Sequence, residues 1–209
     1  MIVQQVIIQF MGQIDASEQT AQLVAKAMSG NRMALERLAG IFHEDVFRMV
    51  YYRTRSTMDA EDITQEIFIQ AFKNLSRLRS TDRFKSWLFS IAVNRVRDFY
   101  RKKRFQQILS PLTDSGQEDL PNTGSDEKPE ALDNIMRRDF WKQVELLLDK
   151  LSKKEREVFL LRFVDHLSIK EVSQVLKKSE STVKTHLYRA LRKFRNDPSM
   201  LQFLEEDTV

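Results

Sequence analysis

Ser181, Lys184, Thr185, Tyr188, Arg189 and Arg192 recur at helical spacing in SESTVKTHLYRALRKFR, residues 179–195. At about 100° per residue they fall in one arc of a helix. Val183, Leu187, Ala190, Leu191 and Phe194 fall in the opposite arc. A helix divided in this way buries one side and offers the other to a polyanion. Lys184 can donate to guanine acceptors, and Thr185 can donate, accept or pack on a thymine methyl. Arg189, Arg192 and Lys193 suit phosphates, whose contacts position a protein on DNA and make binding salt-dependent. His186 flanks this arc and is placed to touch a phosphate.

A second stretch has related chemistry. Arg77, Arg79, Arg83 and Lys85 surround Phe84, and a helical pattern follows. In that pattern Trp87, Ser90, Asn94, Arg97 and Arg101 share one side, while Leu88, Ala92, Val96 and Phe99 share the other, with Ile91 beside them. Rings among cations suit single-stranded nucleic acid, because bases stack on rings while cations follow the backbone. Phe84 reads equally well as a core residue; Trp87 lies in the polar arc and is expected to be exposed.

The stretch before it differs. Ile63, Ile67, Ala71 and Leu75 face inward, and Asp62, Gln65, Glu66, Ile69 and Lys73 face outward. An acidic, amide-bearing face repels DNA. A lone exposed isoleucine usually means nothing, but Ile69 ringed by Asp62, Gln65 and Glu66 suits a protein partner.

Catalytic sets are missing from the sequence. His43, His166 and His186 lack metal-ligand spacing, and no Gly-rich phosphate loop or G-x-S-x-G occurs. With 0 Cys, disulfides, thiolate metal sites and cysteine nucleophiles are excluded. The chain is expected to be no enzyme and to need no cofactor or metal.

Helices must position these faces. Only 5 Gly and 4 Pro in 209 residues leave few turns for an all-β fold, and 42% hydrophobic content allows a real core. Asn31 can cap a helix that carries Leu35, Leu38, Phe42, Val46, Met49 and Val50 inward, after a helix bearing Leu23 and Ala27. The spacing predicts further helices over about 59–75, 84–104, 137–150 and 168–176, each broken by a polar loop. SKKE, residues 152–155, has the form of a capping box. A short helix, a turn of about four residues and the basic helix make a helix-turn-helix, whose second helix lies in the major groove.

The net charge of +4 hides its distribution. Residues 1–76 carry −2, 77–105 carry +8, 106–136 carry −6 and 150–195 carry +8. One basic run is ordinary solvated surface; two, each ending a helical pattern and parted by an acidic stretch, point to two polyanion contacts on a tether. Residues 106–136 hold three of the four prolines and read as a linker, disordered in the free protein. Folded onto the basic faces, that acidic linker is expected to weaken DNA binding in the absence of a partner. The expected organisation is an extension at 1–16, a helical domain at 17–105, the linker, a second helical domain at 137–196 and a tail at 197–209. The extension reads as a short docked helix carrying Val3, Val6, Ile7, Phe10 and Ile14. No apolar run approaches the ~20 residues of a membrane span, so membrane insertion is not expected.

Together these stretches resemble an extracytoplasmic-function (ECF) sigma factor of the sigma-70 family. Residues 59–104 resemble its region two, and 148–195 its region four; no region-three domain fits between them. The resemblance implies an all-α protein of two small helical domains, located in the cytoplasm. It implies contact with core RNA polymerase, β and β′ subunits, and with promoter DNA. An anti-sigma factor, which the family often holds at the membrane, is a further implied partner. Asp62, Gln65, Glu66 and Ile69 would bind polymerase. Arg79, Arg83, Phe84, Trp87, Asn94, Arg97 and Arg101 would read the −10 element. Ser181, Lys184, Thr185, Tyr188, Arg189 and Arg192 would read the −35 element. The family often has glycine in the turn where this chain has Lys177 and Lys178. The rival reading is a dimeric helix-turn-helix repressor or activator, which binds a palindrome without polymerase.

Overall fold

The computed structural model describes residues 18–109, 146 and 148–197. The expectations for the N-terminal extension and for most of the linker and tail lie outside the described residues. The chain divides into two units, Met1–Pro121 and Asn122–Val209. Every regular element among the described residues is helical.

In the first unit α1 ends at residue 28. Next come α2 (Arg32–Thr54), α3 (Thr57–Lys73) and α4 (Phe84–Leu109), with short 3₁₀ turns at Leu75–Arg77 and Thr81–Arg83. The starts follow from side-chain chemistry. The Asn31 carboxamide accepts from Ala34 N at 3.0 Å, and the Ser56 hydroxyl accepts from Asp59 N at 3.2 Å. Such caps are worth about 1 kcal/mol each. Arg55 ends α2 in the left-handed region, φ 59°, with its N–H donating to Tyr51 O at 2.8 Å. The corner from α2 to α3 is therefore only two residues, Arg55 and Ser56.

The three long helices pack on one another through their apolar stripes. Leu38, Phe42, Val46, Met49 and Val50 of α2 meet Ile63, Ile67, Phe68 and Ala71 of α3. Leu88, Phe89, Ala92, Val93 and Val96 of α4 complete the core. Each large side chain contributes roughly 1.5–3 kcal/mol on burial. Two details differ from the sequence pattern. Ala34 is buried where Leu35 was expected, and Leu35 is half-buried. Helix α4 also continues to Leu109, past the expected domain end at 105.

In the second unit, of the described residues in the expected helix over 137–150, residues 146, 148 and 149 are helical and Lys150 is in a turn. After them come α5 (Lys153–Phe159), a π-turn at Leu160–Val164, α6 (Ile169–Leu176) and α7 (Glu180–Arg195). The expected capping box at Ser152 is present, and Ser168 with Glu171 forms a second one, whose SIKE has the same S-x-x-E form but was not singled out from the sequence. The π-turn holds Leu160, Leu161 and Val164 in the core. Leu148, Leu167, Val172, Val175, Val183 and Ala190 fill the rest.

The turn before α7 is three residues long, Lys177 to Ser179. Lys177 sits at φ 52°, ψ 46°. Lys178 N donates to Ser173 O at 3.0 Å and Lys177 N to Gln174 O at 3.3 Å, which is a Schellman ending. Lysine there costs about 1–2 kcal/mol, partly offset in glycine by its looser unfolded chain. Lys177→Gly should therefore raise stability by about 0.5–1 kcal/mol, read as a higher melting temperature of the full chain.

The far end of α7 is held by charge. Lys193 Nζ donates to Glu155 Oε2 at 2.8 Å and to Lys150 O at 3.3 Å. Lys150 Nζ in turn donates to Asp197 Oδ2 at 2.5 Å. The Lys193 bond, together with the Ser152 N–H, holds the Glu155 carboxyl near pH 2 against an ordinary 4.5, although burial opposes the shift. A depressed carboxyl stabilises the fold above pH 4.5, and that stabilisation fades as pH falls toward 2. Because Lys193 is half open to water, screening limits the contribution to about 1–2 kcal/mol. Glu155→Gln should thus lower stability at neutral pH by about that amount. Its deficit against the parent chain should vanish as acid denaturation profiles are followed toward pH 2.

Candidate nucleic-acid interface

The inner side of α7 is Val183 and Ala190, both buried, with Leu187 and Phe194 half-buried. Phe194 stacks on Phe159 with ring centroids 4.5 Å apart. These contacts set the rotation of the helix. Ser181, Lys184, Thr185, Tyr188, Arg189 and Arg192 are consequently all exposed, Tyr188 to 65%. Leu191 is 42% exposed and does not join the buried stripe as the arc predicted.

Ser179 caps α7 by accepting from Thr182 N at 3.2 Å, and its hydroxyl lies 2.9 Å from that of Ser181. The Thr185 hydroxyl donates to Ser181 O at 2.9 Å, which leaves its lone pairs to accept. Lys184, Arg189 and Arg192 have no hydrogen-bond or ion-pair partner among the described residues. Lys193 is different. The sequence grouped it with the phosphate-contacting arginines, but it is committed to Glu155 and Lys150. Its position one residue past Arg192 turns it off the arc and back onto the unit. His186 is half-buried beside the arc.

In the first unit, α4 presents Asn94, Arg97 and Arg101 to solvent, and the preceding turns present Arg79 and Arg83. Arg101 remains 80% exposed while pairing with Asp98 at 3.0 Å. Phe84 requires a correction. It is 1% exposed and packs on Phe42 with centroids 5.4 Å apart, so its ring is unavailable for stacking. The 3₁₀ turn at Thr81–Arg83 delivers Phe84 to the helix start already facing the core, while Arg83 beside it faces out. Trp87 was expected exposed and is half-buried, its ring 6.0 Å from that of Phe84. Phe84 thus supports the aromatic surface from beneath.

On α3 the residues Asp62, Gln65, Glu66 and Ile69 are all exposed, Ile69 to 47%. Burial of Ile63, Ile67 and Ala71 on the opposite side forces that arrangement. Glu66 also pairs with Arg95 of α4 at 3.5 Å, a link that no sequence spacing revealed. Among the described residues no group of His, Asp and Glu is placed to hold a metal ion. None of their helices is long and apolar enough to cross a membrane.

Residues 38–106 match the family described as "Sigma-70 region 2", and residues 141–194 match "Sigma-70, region 4". A probable RNA polymerase sigma factor of Haemophilus influenzae is 33% identical over 149 residues, 66% of this chain and 75% of that one. The chain belongs to the sigma-70 family. The ECF sigma factor BldN of Streptomyces coelicolor is 30% identical over 177 residues, covering 84% of this chain. The match spans 64% of BldN's own length. The ECF sigma factor SigW of Bacillus subtilis is 28% identical over 179 residues, 83% of this chain and 95% of that one. These relatives place this sigma factor in the ECF group. The fold agrees with the solved structure of CnrH in complex with the cytosolic domain of CnrY, with a TM-score of 0.61 at 24% identity over 90% of this chain and 98% of that one. The comparisons lend the dimeric repressor reading no support.

Arg192 and Lys193, neighbours in this sigma factor, should behave differently on duplex DNA. Arg192→Gln should reduce the slope of log affinity against log salt by about one phosphate contact, roughly 0.9. Lys193→Gln should leave the slope unchanged and lower thermal stability instead.

Proposed function

We propose that this ECF sigma factor docks on core RNA polymerase through the α3 face and reads two promoter elements with α4 and α7. The observation that carries the reading is the pairing of unlike surfaces within the first unit. An acidic face with an exposed isoleucine, Asp62, Gln65, Glu66 and Ile69, stands on α3. A cationic face with an aromatic edge, Arg79, Arg83, Trp87, Asn94, Arg97 and Arg101, stands on the adjoining turns and α4. A DNA-binding repressor has no use for the first. Complementary charge on a basic polymerase surface would steer docking.

In the −10 region the exposed arginines follow the phosphates of the displaced strand, and Asn94 offers both donor and acceptor to a base edge. Trp87 supplies the ring edge on which an unstacked base can lie. Taking a base out of the stack costs a few kcal/mol, and these contacts offset that cost only once the strand is open. At the −35 element α7 lies in the major groove. Lys184, Thr185 and Tyr188 meet base edges there, and Arg189 and Arg192 meet phosphates. An anti-sigma protein is the expected antagonist, and it acts by covering one of these faces. The site of action is the cytoplasm, where core polymerase is found.

Transcription in vitro with purified core polymerase and a random promoter pool tests the reading. Start sites should appear that depend on this chain; their absence overturns it. Glu66→Lys should abolish polymerase binding. Lys184→Ala should leave polymerase binding intact and weaken use of −35 elements by about 1–3 kcal/mol, at least a fivefold loss.

A further inference from the structure

Helix α4 outruns the bundle to which it belongs. Its last buried residue is Val96, and every side chain over residues 100–106 is exposed. The Tyr100 hydroxyl donates to Arg53 O at the end of α2, which pins the helix where it leaves the body. The part beyond is helical because it continues α4, so it needs no nucleus of its own. It carries Arg101, Lys102, Lys103 and Arg104 in succession. Cations commonly end a helix because they suit its dipole, an effect confined to the last turn. That reason fails here, because α4 runs on to Leu109 and its last turn holds no basic residue. Arg101 and Arg104, three positions apart, also put like charges side by side, which costs helix stability. Lys102, Lys103 and Arg104 make no hydrogen bond or ion pair among the described residues. Rotation sorts these side chains. At about 100° per residue, Arg101 and Phe105 continue the line of Trp87 and Asn94. Lys102 stands about 80° to one side of that line and Arg104 about 80° to the other, while Lys103 stands opposite it. Phe105 is 62% exposed.

A helix with a ring along one edge and a cation on each flank matches a groove with phosphates on both walls. The major groove of duplex DNA, about 12 Å wide, is the one that admits a helix. We propose that residues 101–105 form an arm that lies in the major groove of the duplex just upstream of the −10 element, with Lys102 and Arg104 on phosphates of opposite strands and Phe105 toward the base edges. This rests on α4 being the −10 face. The arm begins where that face ends, and the chain beyond it leads to the unit that carries α7, so it points along the duplex between the two promoter elements. It gives the chain a third promoter contact. The phosphate contacts are blind to sequence, and Phe105 favours a thymine methyl on the groove floor.

The test uses holoenzyme reconstituted with the full chain and two fluorescent probes. One is a single-stranded DNA 12-mer of random sequence. The other is the same strand extended upstream by about two helical turns of duplex. Binding is measured across a salt series. Lys102→Gln and Arg104→Gln should each lower the salt slope on the forked probe by about 0.9, one phosphate contact, and leave the single strand unaffected. Lys103→Gln, on the far side of the arm, should change neither probe. All three side chains are exposed, so these substitutions spare the fold. Equal losses from all three substitutions mark diffuse charge and overturn the groove arm, as does a full slope in Lys102→Gln and Arg104→Gln. A loss of affinity for core polymerase in place of DNA makes the arm a protein contact and also overturns it. If the parent holoenzyme fails to bind the single strand, the −10 reading fails and the arm's placement fails with it. If the parent binds that strand while the variants keep the full slope on the forked probe, the arm alone fails.

Discussion

Burial of one stripe on each contact helix fixes what every other side of that helix can do. On α7 that stripe is Val183 and Ala190, and on α4 it is Leu88, Ala92 and Val96. A helix of 3.6 residues per turn has no rotational freedom once such a stripe is seated. Lys184, Tyr188 and Arg192 are therefore exposed because Val183 and Ala190 are not, and the same holds for Asn94 and Arg101 opposite Leu88 and Ala92. The cations need no structure of their own to hold them outward. Contact with nucleic acid comes from charge, but its direction comes from the hydrophobic effect.

Seating a stripe leaves the ends of the helix to be anchored, and α7 uses opposite devices at its two ends. At its start a Schellman turn forces Lys177 into the left-handed region, a conformation that opposes folding. At its finish Lys193 reaches Glu155, itself half of a capping box on α5. One carboxylate thus satisfies the start of α5 and ties down the finish of α7. This links local helix capping to the placement of the recognition surface. It also explains why Lys193, in a basic stretch, is turned off the exposed arc.

The elements that periodicity governs were legible in the sequence. The inward residues of α2 except Leu35, those of α3, the Asn31 cap, the Ser152 capping box and the exposed arc of α7 all follow from spacing. What spacing missed has a common cause. Phe84 sits where a 3₁₀ turn becomes an α-helix, and two periods compete at that point, so its direction is undetermined by either. Leu191 and Lys193 sit at the borders of their arcs, where packing against a neighbouring helix decides. Arg95 pairs with Gln70, 25 positions earlier, and Glu66, and no rule of local sequence anticipates a cross-helix bond. The π-turn at Leu160–Val164 adds one residue to a turn without any change in residue type that would announce it.

The two contact helices belong to separate units, and this limits what the chain alone can specify. Between Leu109 and Leu146 lie residues enough to reach on the order of 100 Å when extended, at about 3.3–3.6 Å each. Promoter elements under two helical turns of DNA apart are separated by about 60 Å. That contour length is enough for both contacts. Under the proposed function, the spacing is set by a rigid body that holds both units at once, core polymerase docked on the α3 face.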